Sequence, residues 1–462
     1  LNIGTFIGKI FNNDNIVQIN NIINYIIAEI NIKDEDINKD IRIINSYEEY
    51  ERKWNNKELK KMITETPELC VTEISLLPEE KLQQLVKGGR ELTIAVLKNA
   101  PDTDTRVPLT PMGVSILAAG GHHVLIESCA GVQSNYDDLE YAESGADVTE
   151  SREKLFKADI ILKTSPFSVE EASMTKKRQT LISYLGVAQA SKEYIQTLLR
   201  RKVTAIAMEY IQTEKDFYPI SHINSEIAGR NAIFIAAEQL GKQSGGKGVL
   251  LGGVTGISPS SVVIIGTGVA ALHAAKAAEF LGAEVKVFDD SVCKLAGFRQ
   301  RLGRDIFTSV LLPQVFNKAL ATADVVIGAK HITSQPYPIV TADVVATMKK
   351  GSVIVDLNVV TGSCFETSHP TTLQQPVYDV NGVKHFCLPD ITALVPKTSS
   401  IALSNVLYPL IKEIADNGGI NPTITFNKLL RSCIYCYNGM LTNRYLGKRL
   451  GIETRDIDLY LL

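Results

Sequence analysis

The sequence predicts an α/β protein with two doubly wound, Rossmann-like domains, a cleft between them and an N-terminal extension. From residue 92 onward, short apolar runs rich in β-branched residues alternate with helix-length segments. These runs are almost continuously apolar, which is typical of parallel strands covered on both faces. The chain has 462 residues, 45% of them hydrophobic and 21% charged, enough for two or three domains with a sizeable core.

The candidate elements alternate along the chain in the order that a parallel sheet requires. The strand candidates are LTIAVL, HHVLIES, ADIILKT, TLISYLG, VTAIAME, SVVIIGTG, EVKVFDD, ADVVIGA and GSVIVDLN. Helical patterns such as EYIQTLLRR, RNAIFIAAEQLGK and VAALHAAKAAEFLG lie between them. Residues 1–91 differ in composition, since they are rich in Asn, Ile and charged segments. We interpret them as an extension whose role the sequence does not indicate.

Composition and charge exclude several classes of partner. The net charge of -3 provides no global positive field that would attract nucleic acid. The sequence contains no run of eighteen apolar residues, so it predicts no membrane-spanning helix. The seven cysteines are scattered and odd in number, which favours a reducing cytoplasm over a disulfide framework. Cys433 and Cys436 form one CxxC without a second pair for zinc. We expect them to be two apolar positions on a helix face, and we predict no metal site.

The segment SVVIIGTGVAALHAAKAAEFLGAEVKVFDD has the features of a dinucleotide-binding turn. Gly266 follows a buried strand and allows a tight turn, and Gly268 lets the backbone approach a pyrophosphate closely. Ala271 is small enough for close packing between helix and strand. The helix that follows presents free N–H groups and positive partial charge to phosphates.

Two acidic residues follow the second strand of this unit. Asp289 lies about twenty residues past the glycines, where the fingerprint places a group that binds ribose hydroxyls. Asp290 adjoins it, and a 2′-phosphate there would meet like charge. The sequence therefore favours NAD over NADP as the cofactor.

Several separated motifs carry a family resemblance from about residue 92 to the end. They are DTRVPLTPMGVSILAAGGHHVLIESCAG, NSEIAGRNA, GKGVLLGGVTGISPSSVVIIGTG, GSVIVDLN, SCFETSHPTT, VPKTSSIALSN and NGMLTNRYLGKRLGI. In this order they resemble alanine dehydrogenases and the NAD(H)-binding subunit of proton-translocating transhydrogenase. The resemblance implies a substrate domain made of residues 92–219 and 396–462, with an NAD domain of residues 220–395 inserted between its two parts.

The resemblance also assigns residues to the cofactor and the substrate. The predicted cofactor-binding residues are Ser225, Gly266, Thr267, Gly268, Val269, Ala270, Asp289, Lys294 and Leu357. Arg106 in TRVPLTP matches the arginine that binds the substrate carboxylate, which a guanidinium clamps through two parallel hydrogen bonds.

Three other positions of the family's catalytic set depart from its pattern. Ser165 stands where the family has a lysine, Gly186 where it has a histidine and Val360 where it has an aspartate. An Asn-Met-like pair becomes Asp390-Ile391. Glycine and valine cannot move a proton and serine cannot carry a positive charge, so the usual mechanism is lost or rebuilt.

Other polar residues are candidates to replace the missing groups. Lys163 and Asp390 are the tentative catalytic candidates, since a lysine two residues before Ser165 points to the same side of an extended strand. Asp356 and Tyr184 are further groups able to handle protons in a cleft. His331 follows a strand at its carboxyl end, where a nicotinamide could lie.

Three functions remain open from the sequence. The first is an NAD-dependent oxidoreductase of the alanine dehydrogenase type, acting on a small amino acid or 2-oxo acid such as L-alanine or pyruvate. The second is a transhydrogenase-like NAD(H)-binding subunit, which needs no acid/base pair. The third is a non-catalytic NAD(H)-binding sensor or scaffold. The family suggests a homo-oligomer, a hexamer for the free enzyme or a dimer for the subunit.

Overall fold

The structure, a computed structural model, describes residues 91–100, 104–331 and 338–461. Almost all of the predicted extension, including Cys70, therefore lies outside the described residues. The strands are β1 (Thr93–Val96), β2 (His123–Glu127), β3 (Ala146–Thr149), β4 (Ile160–Leu162), β5 (Thr180–Ser183), β6 (Thr204–Ala207), β7 (Ser261–Ile265), β8 (Glu284–Asp289), β9 (Phe307–Val310), β10 (Val325–Gly328), β11 (Val353–Asp356), β12 (Val377–Val380), β13 (Val383–Phe386), β14 (Ile434–Tyr437) and β15 (Met440–Leu441).

Helices occupy most of the connections between strands. They are α1 (Pro111–Ala119), α2 (Asp138–Glu143), α3 (Arg152–Leu155), α4 (Val169–Met174), α5 (Lys192–Arg201), α6 (Pro219–Leu240), α7 (Val269–Phe280), α8 (Val292–Leu302), α9 (Pro313–Thr322), α10 (Ala342–Ala346), α11 (Pro396–Asp416), α12 (Ile420–Phe426), α13 (Lys428–Ser432), α14 (Arg444–Leu450) and α15 (Ile457–Leu461). Short 3-10 helices span Val132–Ser134, Met208–Tyr210 and Ile391–Leu394. No described helix is both long enough and apolar enough to span a membrane.

The strands form two sheets with the same winding, which confirms the predicted fold class. The first sheet has the order β15-β14-β6-β5-β4-β1-β2-β3, and the second has the order β12-β13-β11-β10-β7-β8-β9. From β1 and from β7, each sheet is thus wound in the 3-2-1-4-5-6 order of a Rossmann fold. Antiparallel pairing is confined to β14 with β6 and β15, and β12 with β13, among the described strands. The chain is a mixed α/β protein with two Rossmann-like sheets.

Strand order places a potential ligand site in each sheet. The order reverses between β1 and β4 in the first sheet and between β7 and β10 in the second. Ligands of open α/β sheets bind outside the carboxyl ends of the strands at such switch points. A ligand site is therefore expected at the segments that follow β1, β4, β7 and β10.

All the predicted strands occur, but the prediction omitted the edge strands β3, β9, β12 and β15 and the inner strands β13 and β14. Every residue of β7 is buried, as its apolar sequence SVVII predicts. By contrast, β9 and β12 contain only exposed or half-buried residues, so they lack the apolar run that marks a central strand.

The predicted helix-face position of the CxxC pair is wrong. Cys433 ends α13 and Cys436 lies in β14, which pairs antiparallel with β6. Both cysteines are buried free thiols, and burial raises the pKa of Cys433 to about 12. They are apolar core positions, as expected, on a strand and a turn.

Candidate active site

The turn after β7 has a backbone that only glycine accommodates. Gly266 has φ +112°, and its N–H donates to the carbonyl of Phe288 at 2.7 Å. A Cβ at Gly266 would lie 2.8 Å from the backbone nitrogen of Lys330. The glycine therefore lets β7 turn tightly beside the segment that follows β10.

The helix that follows this turn begins without a side-chain cap. Gly268 is the N-cap residue of α7, and no side chain accepts a hydrogen bond from its first turn. A Cβ at Gly268 would meet open space, whereas one at Gly229 of α6 would lie 2.1 Å from the carbonyl oxygen of Ala270. The first turn of α7 is therefore open at Gly268, which suits a pyrophosphate, while α6 packs closely against Ala270.

A cavity of about 310 Å³ lies at the amide end of α7. Its lining residues are Asn224, Ser225, Ala228, Gly268, Val269, Ala270, Ala329, His331, Leu357, Asn358, Pro389, Asp390, Ile391 and Thr392. Of the residues predicted from the sequence to bind the cofactor, Ser225, Gly268, Val269, Ala270 and Leu357 line it, and so do the candidates Asp390 and His331. The cavity therefore opens where the carboxyl ends of β7, β10 and β11 meet α6.

The predicted ribose acid is buried and already paired. Asp289 is 2% exposed, its Oδ2 accepts the Thr267 hydroxyl at 3.0 Å, and its Oδ1 accepts from Lys330 Nζ at 3.1 Å. Lys330 Nζ also lies 2.8 Å from Oδ1 of Asp290. Burial opposes the charge of Lys330, but contacts with Asp290 and Asp289 outweigh it and raise the pKa of the lysine. Lys294 is exposed, and its backbone N–H donates to Ser291 at 3.3 Å.

Arg106 is buried beside the cavity and held by three side chains. Its Nε and Nη2 donate to the two carboxylate oxygens of Asp104 at 2.9 and 2.7 Å. Its Nη1 donates to Thr392 Oγ1 at 2.6 Å, and its Nη2 lies 2.7 Å from Asp390 Oδ2. Burial opposes the guanidinium charge, yet Asp390 and Asp104 raise the pKa of Arg106.

Tyr184 covers one face of the guanidinium. The carbon at the centre of the Arg106 guanidinium lies 5.3 Å from the centre of the Tyr184 ring. The Tyr184 hydroxyl accepts from Asn224 Nδ2 at 2.6 Å, and Asn224 lines the cavity. Burial raises the pKa of Tyr184 well above its ordinary value, so the phenol is a neutral hydrogen-bonding group at neutral pH.

Of the three positions that the family resemblance marks as replaced, Ser165 is connected to Arg106 through Asn99. Ser165 donates to Asn99 Oδ1 at 3.0 Å, and Asn99 Nδ2 donates to the Arg106 carbonyl at 2.7 Å. Gly186 has φ +57°, and a Cβ there would lie 3.9 Å from Pro166 Cγ. Val360 follows β11 and is half-buried.

The tentative catalytic lysine has a buried partner of its own. Lys163 Nζ donates to Glu171 Oε2 at 2.7 Å, and both side chains are buried. Glu171 also accepts from Arg152 at 3.2 Å and from the Ser168 backbone at 2.9 Å. The Lys163 ammonium is therefore committed to this ion pair. Lys163 does not line the cavity.

Sequence reasoning missed several groups that shape the site. Asp104 and Thr392 hold Arg106, Asn224 binds Tyr184, and Lys330 binds Asp289. Among these groups, only Lys330 could have been predicted from its place in the sequence. It comes two residues after β10, the strand next to β7, which precedes the phosphate-binding turn. The contact between Arg106 and Thr392 joins residues 286 apart in sequence, and no local pattern reports it.

Known proteins share this architecture. The models for "Alanine dehydrogenase/PNT, N-terminal domain" and "Alanine dehydrogenase/PNT, C-terminal domain" match residues 95–228 and 232–444. The alanine dehydrogenase of Bacillus subtilis is 38% identical over 364 residues, which are 78% of this chain and 96% of that protein. The alanine dehydrogenase of Mycolicibacterium smegmatis is 33% identical over 372 residues, 80% of this chain and 100% of that protein.

Solved structures agree with these matches. An L-alanine dehydrogenase structure superposes with a TM-score of 0.71 at 34% identity, over 77% of this chain and 98% of that one. A transhydrogenase from Sinorhizobium meliloti has the same fold, with a TM-score of 0.64 at 23% identity over 76% of this chain and 99% of that one. The order of the motifs, both sheets and both domain matches lead to one assignment: the chain belongs to the alanine dehydrogenase/PNT family.

Proposed function

We propose that this protein is an NAD(H)-dependent oxidoreductase of the alanine dehydrogenase type. It transfers hydride between NAD and a small amino acid or 2-oxo acid, with L-alanine and pyruvate as the pair that the family resemblance implies; the relatives are named alanine dehydrogenases. The observation that carries the proposal is the cavity in which the amide end of α7 opens toward Asp390 and Thr392, the residues in contact with Arg106.

The residues present fit a dinucleotide. The uncapped first turn of α7 offers amide N–H groups to a pyrophosphate, and the side-chain-free surface of Gly268 lets it approach. Asp289 is the predicted acceptor for ribose hydroxyls, and Ser225, Val269, Ala270 and Leu357 complete the predicted contacts. Bound NAD supplies a nicotinamide that accepts or donates hydride.

The substrate would bind through Arg106 and the groups around it. A guanidinium is suited to a carboxylate, and Tyr184 is a neutral hydrogen-bond donor beside it. Asp390 and His331 line the same cavity, and they are the candidates to move protons there. Lys163 is a weaker candidate because its ammonium is paired with Glu171.

Other predictions complete the proposal. The proposed substrate domain combines residues 92–219 and 396–462, and residues 220–395 form the proposed NAD domain. We also propose a cytoplasmic homo-oligomer, a hexamer or a dimer.

Two measurements on the purified chain test the proposal. Titration with NADH, followed by nucleotide fluorescence and thermal stability, should show saturable binding. Absorbance of NADH should then fall when pyruvate and ammonia are added, and it should not fall without ammonia. Arg106→Ala should raise the KM for pyruvate strongly. Absence of NADH binding would end the proposal.

A second candidate is an NAD(H)-binding protein without dehydrogenase activity. It is favoured by Ser165, Gly186 and Val360, which provide no charge or proton transfer at positions where the family has a lysine, a histidine and an aspartate. NADH binding without turnover of pyruvate and ammonia would support it. Turnover only when a nicotinamide analogue is the hydride acceptor would instead support the transhydrogenase-like function.

A further inference from the structure

The two edges of Arg106 that can bind a carboxylate are both in use. A guanidinium offers parallel N–H pairs along its Nε/Nη2 edge and along its Nη1/Nη2 edge. Asp104 occupies the first edge with both of its oxygens. The second edge contacts Thr392 Oγ1 through Nη1 and Asp390 Oδ2 through Nη2.

The two carboxylates differ in their access to the cavity. Asp104 is 7% exposed, whereas the Asp390 side chain is 43% exposed and lines the cavity. A ligand entering the cavity therefore meets Asp390 first, on the Nη1/Nη2 edge. The edge that Asp104 holds is buried away from it.

Asp390 is also held in its place by the backbone. Its Oδ1 accepts the Thr392 N–H at 3.0 Å and the Thr392 hydroxyl at 2.5 Å, because Asp390 is the N-cap of the 3-10 helix Ile391–Leu394. With Oδ1 fixed, Oδ2 points at Arg106. One positive and two negative side chains thus meet here, with a net charge of -1.

From this geometry, we propose that Asp390 limits the affinity for the substrate carboxylate by competing with it for the cavity-facing edge of Arg106. The inference rests on the proposed function, since it concerns how a 2-oxo acid binds at that site. A substrate carboxylate must displace Asp390 Oδ2 and approach a site that is already negative. The competition weakens the binding of small anionic substrates.

The Asp390→Asn substitution removes the carboxylate that competes for Arg106 but keeps an N-cap side chain. Asn caps a helix as well as Asp does, and its side-chain oxygen can accept from Thr392. It removes the charge that pairs with Arg106. Asp390→Asn should therefore bind pyruvate more tightly than the wild-type protein, by about tenfold or more, since one competing contact at a half-exposed position is lost.

Calorimetric titration of pyruvate into the NADH-saturated protein, without ammonia so that no turnover occurs, provides the test. NADH affinity and thermal unfolding are measured first for the wild type, Asp390→Asn and Asp104→Asn. Asp104→Asn is the matched variant, because it removes a carboxylate from the buried edge of the same arginine. Only Asp390→Asn should gain pyruvate affinity.

The outcomes distinguish failure of the competition from failure of the proposed function. Equal or weaker pyruvate binding by Asp390→Asn, with NADH binding intact, overturns the competition and leaves the proposed function standing. An equal gain in both variants also overturns it, because local charge rather than occupancy of one edge would then decide affinity. Pyruvate binding by none of the three proteins overturns it as well. Failure of the wild type to bind NADH ends the proposed function itself.

Discussion

Lys330 Nζ lies 3.1 Å from Oδ1 of Asp289, the acid that the phosphate-loop pattern assigns to the cofactor ribose. The same ammonium contacts Asp290 at 2.8 Å. The two acids that argue against NADP in the sequence are therefore partly neutralised in the folded protein. A 2′-phosphate would meet a cation here as well as two carboxylates.

Replacement of this lysine should sharpen the preference for NADH. Lys330→Met should weaken NADPH binding about tenfold more than NADH binding, because a unit charge within about 4 Å is worth a few kcal/mol at an effective dielectric constant near 20, before screening by salt. Fluorescence titration with both nucleotides measures the ratio. Lys286→Met is the matched control, since Lys286 lies on β8 and pairs with Glu284. Equal losses for both nucleotides would contradict the expectation.

Introducing the side chains that the family resemblance implies at positions 165, 186 and 360 should increase turnover. Gly186→His has room at its Cβ, and histidine tolerates a positive φ better than most residues, at a cost of about 1 kcal/mol. Combined with Ser165→Lys and Val360→Asp, it should raise the NADH-dependent conversion of pyruvate and ammonia about a hundredfold, the usual contribution of positioned acid/base groups. The same triple variant with Gly186→Asn is the control, because asparagine fits the backbone but transfers no proton.

The Lys163–Glu171 pair should contribute to stability rather than to catalysis. Lys163→Met leaves Glu171 buried with Arg152 as its remaining cation, and it should destabilise the protein by about 3 kcal/mol. Lys163→Met/Glu171→Gln should recover part of that loss, as measured by denaturant unfolding. NADH affinity should be unchanged in both variants. A variant that unfolds like the wild type but loses turnover would instead give Lys163 a catalytic role.

A buried acid should make stability depend on pH. Asp356 is 0% exposed, and burial raises its pKa although it accepts hydrogen bonds from Ser363 and Asn358. The stability associated with its proton is complete below the ordinary carboxyl pKa and is lost as pH rises through the folded value. The loss amounts to about 1.4 kcal/mol for each unit by which the pKa is raised.

Asparagine at position 356 should remove this dependence. Asp356→Asn keeps an acceptor for the Asn358 N–H and cannot ionise, so its melting temperature relative to the wild type should increase between pH 4 and pH 8. Asp305→Asn, which removes an exposed carboxylate, is the matched control. A constant difference between Asp356→Asn and wild type over that range would contradict the raised pKa.

Local sequence predicted the central strands and the phosphate-loop turn because their signals are local. An apolar run, two glycines and a helix lie within a few residues of one another, and β7 and α7 follow from them. The sequence does not predict the edge strands β9 and β12, because an edge strand does not need a continuous apolar run. The sequence does not predict a strand at the CxxC pair, because the pairing of β14 with β6 joins segments more than two hundred residues apart.

The sequence by itself determined the fold class, the strand–turn–helix unit with its two glycines, and the family. Only the tertiary structure decided which charged side chains form ion pairs. Asp390 contacts Arg106, Lys330 contacts Asp289, and Glu171 contacts Lys163. The physical reason is that backbone conformation and burial follow from neighbours in the chain, whereas an ion pair depends on which strand ends and loops the winding of two sheets brings together.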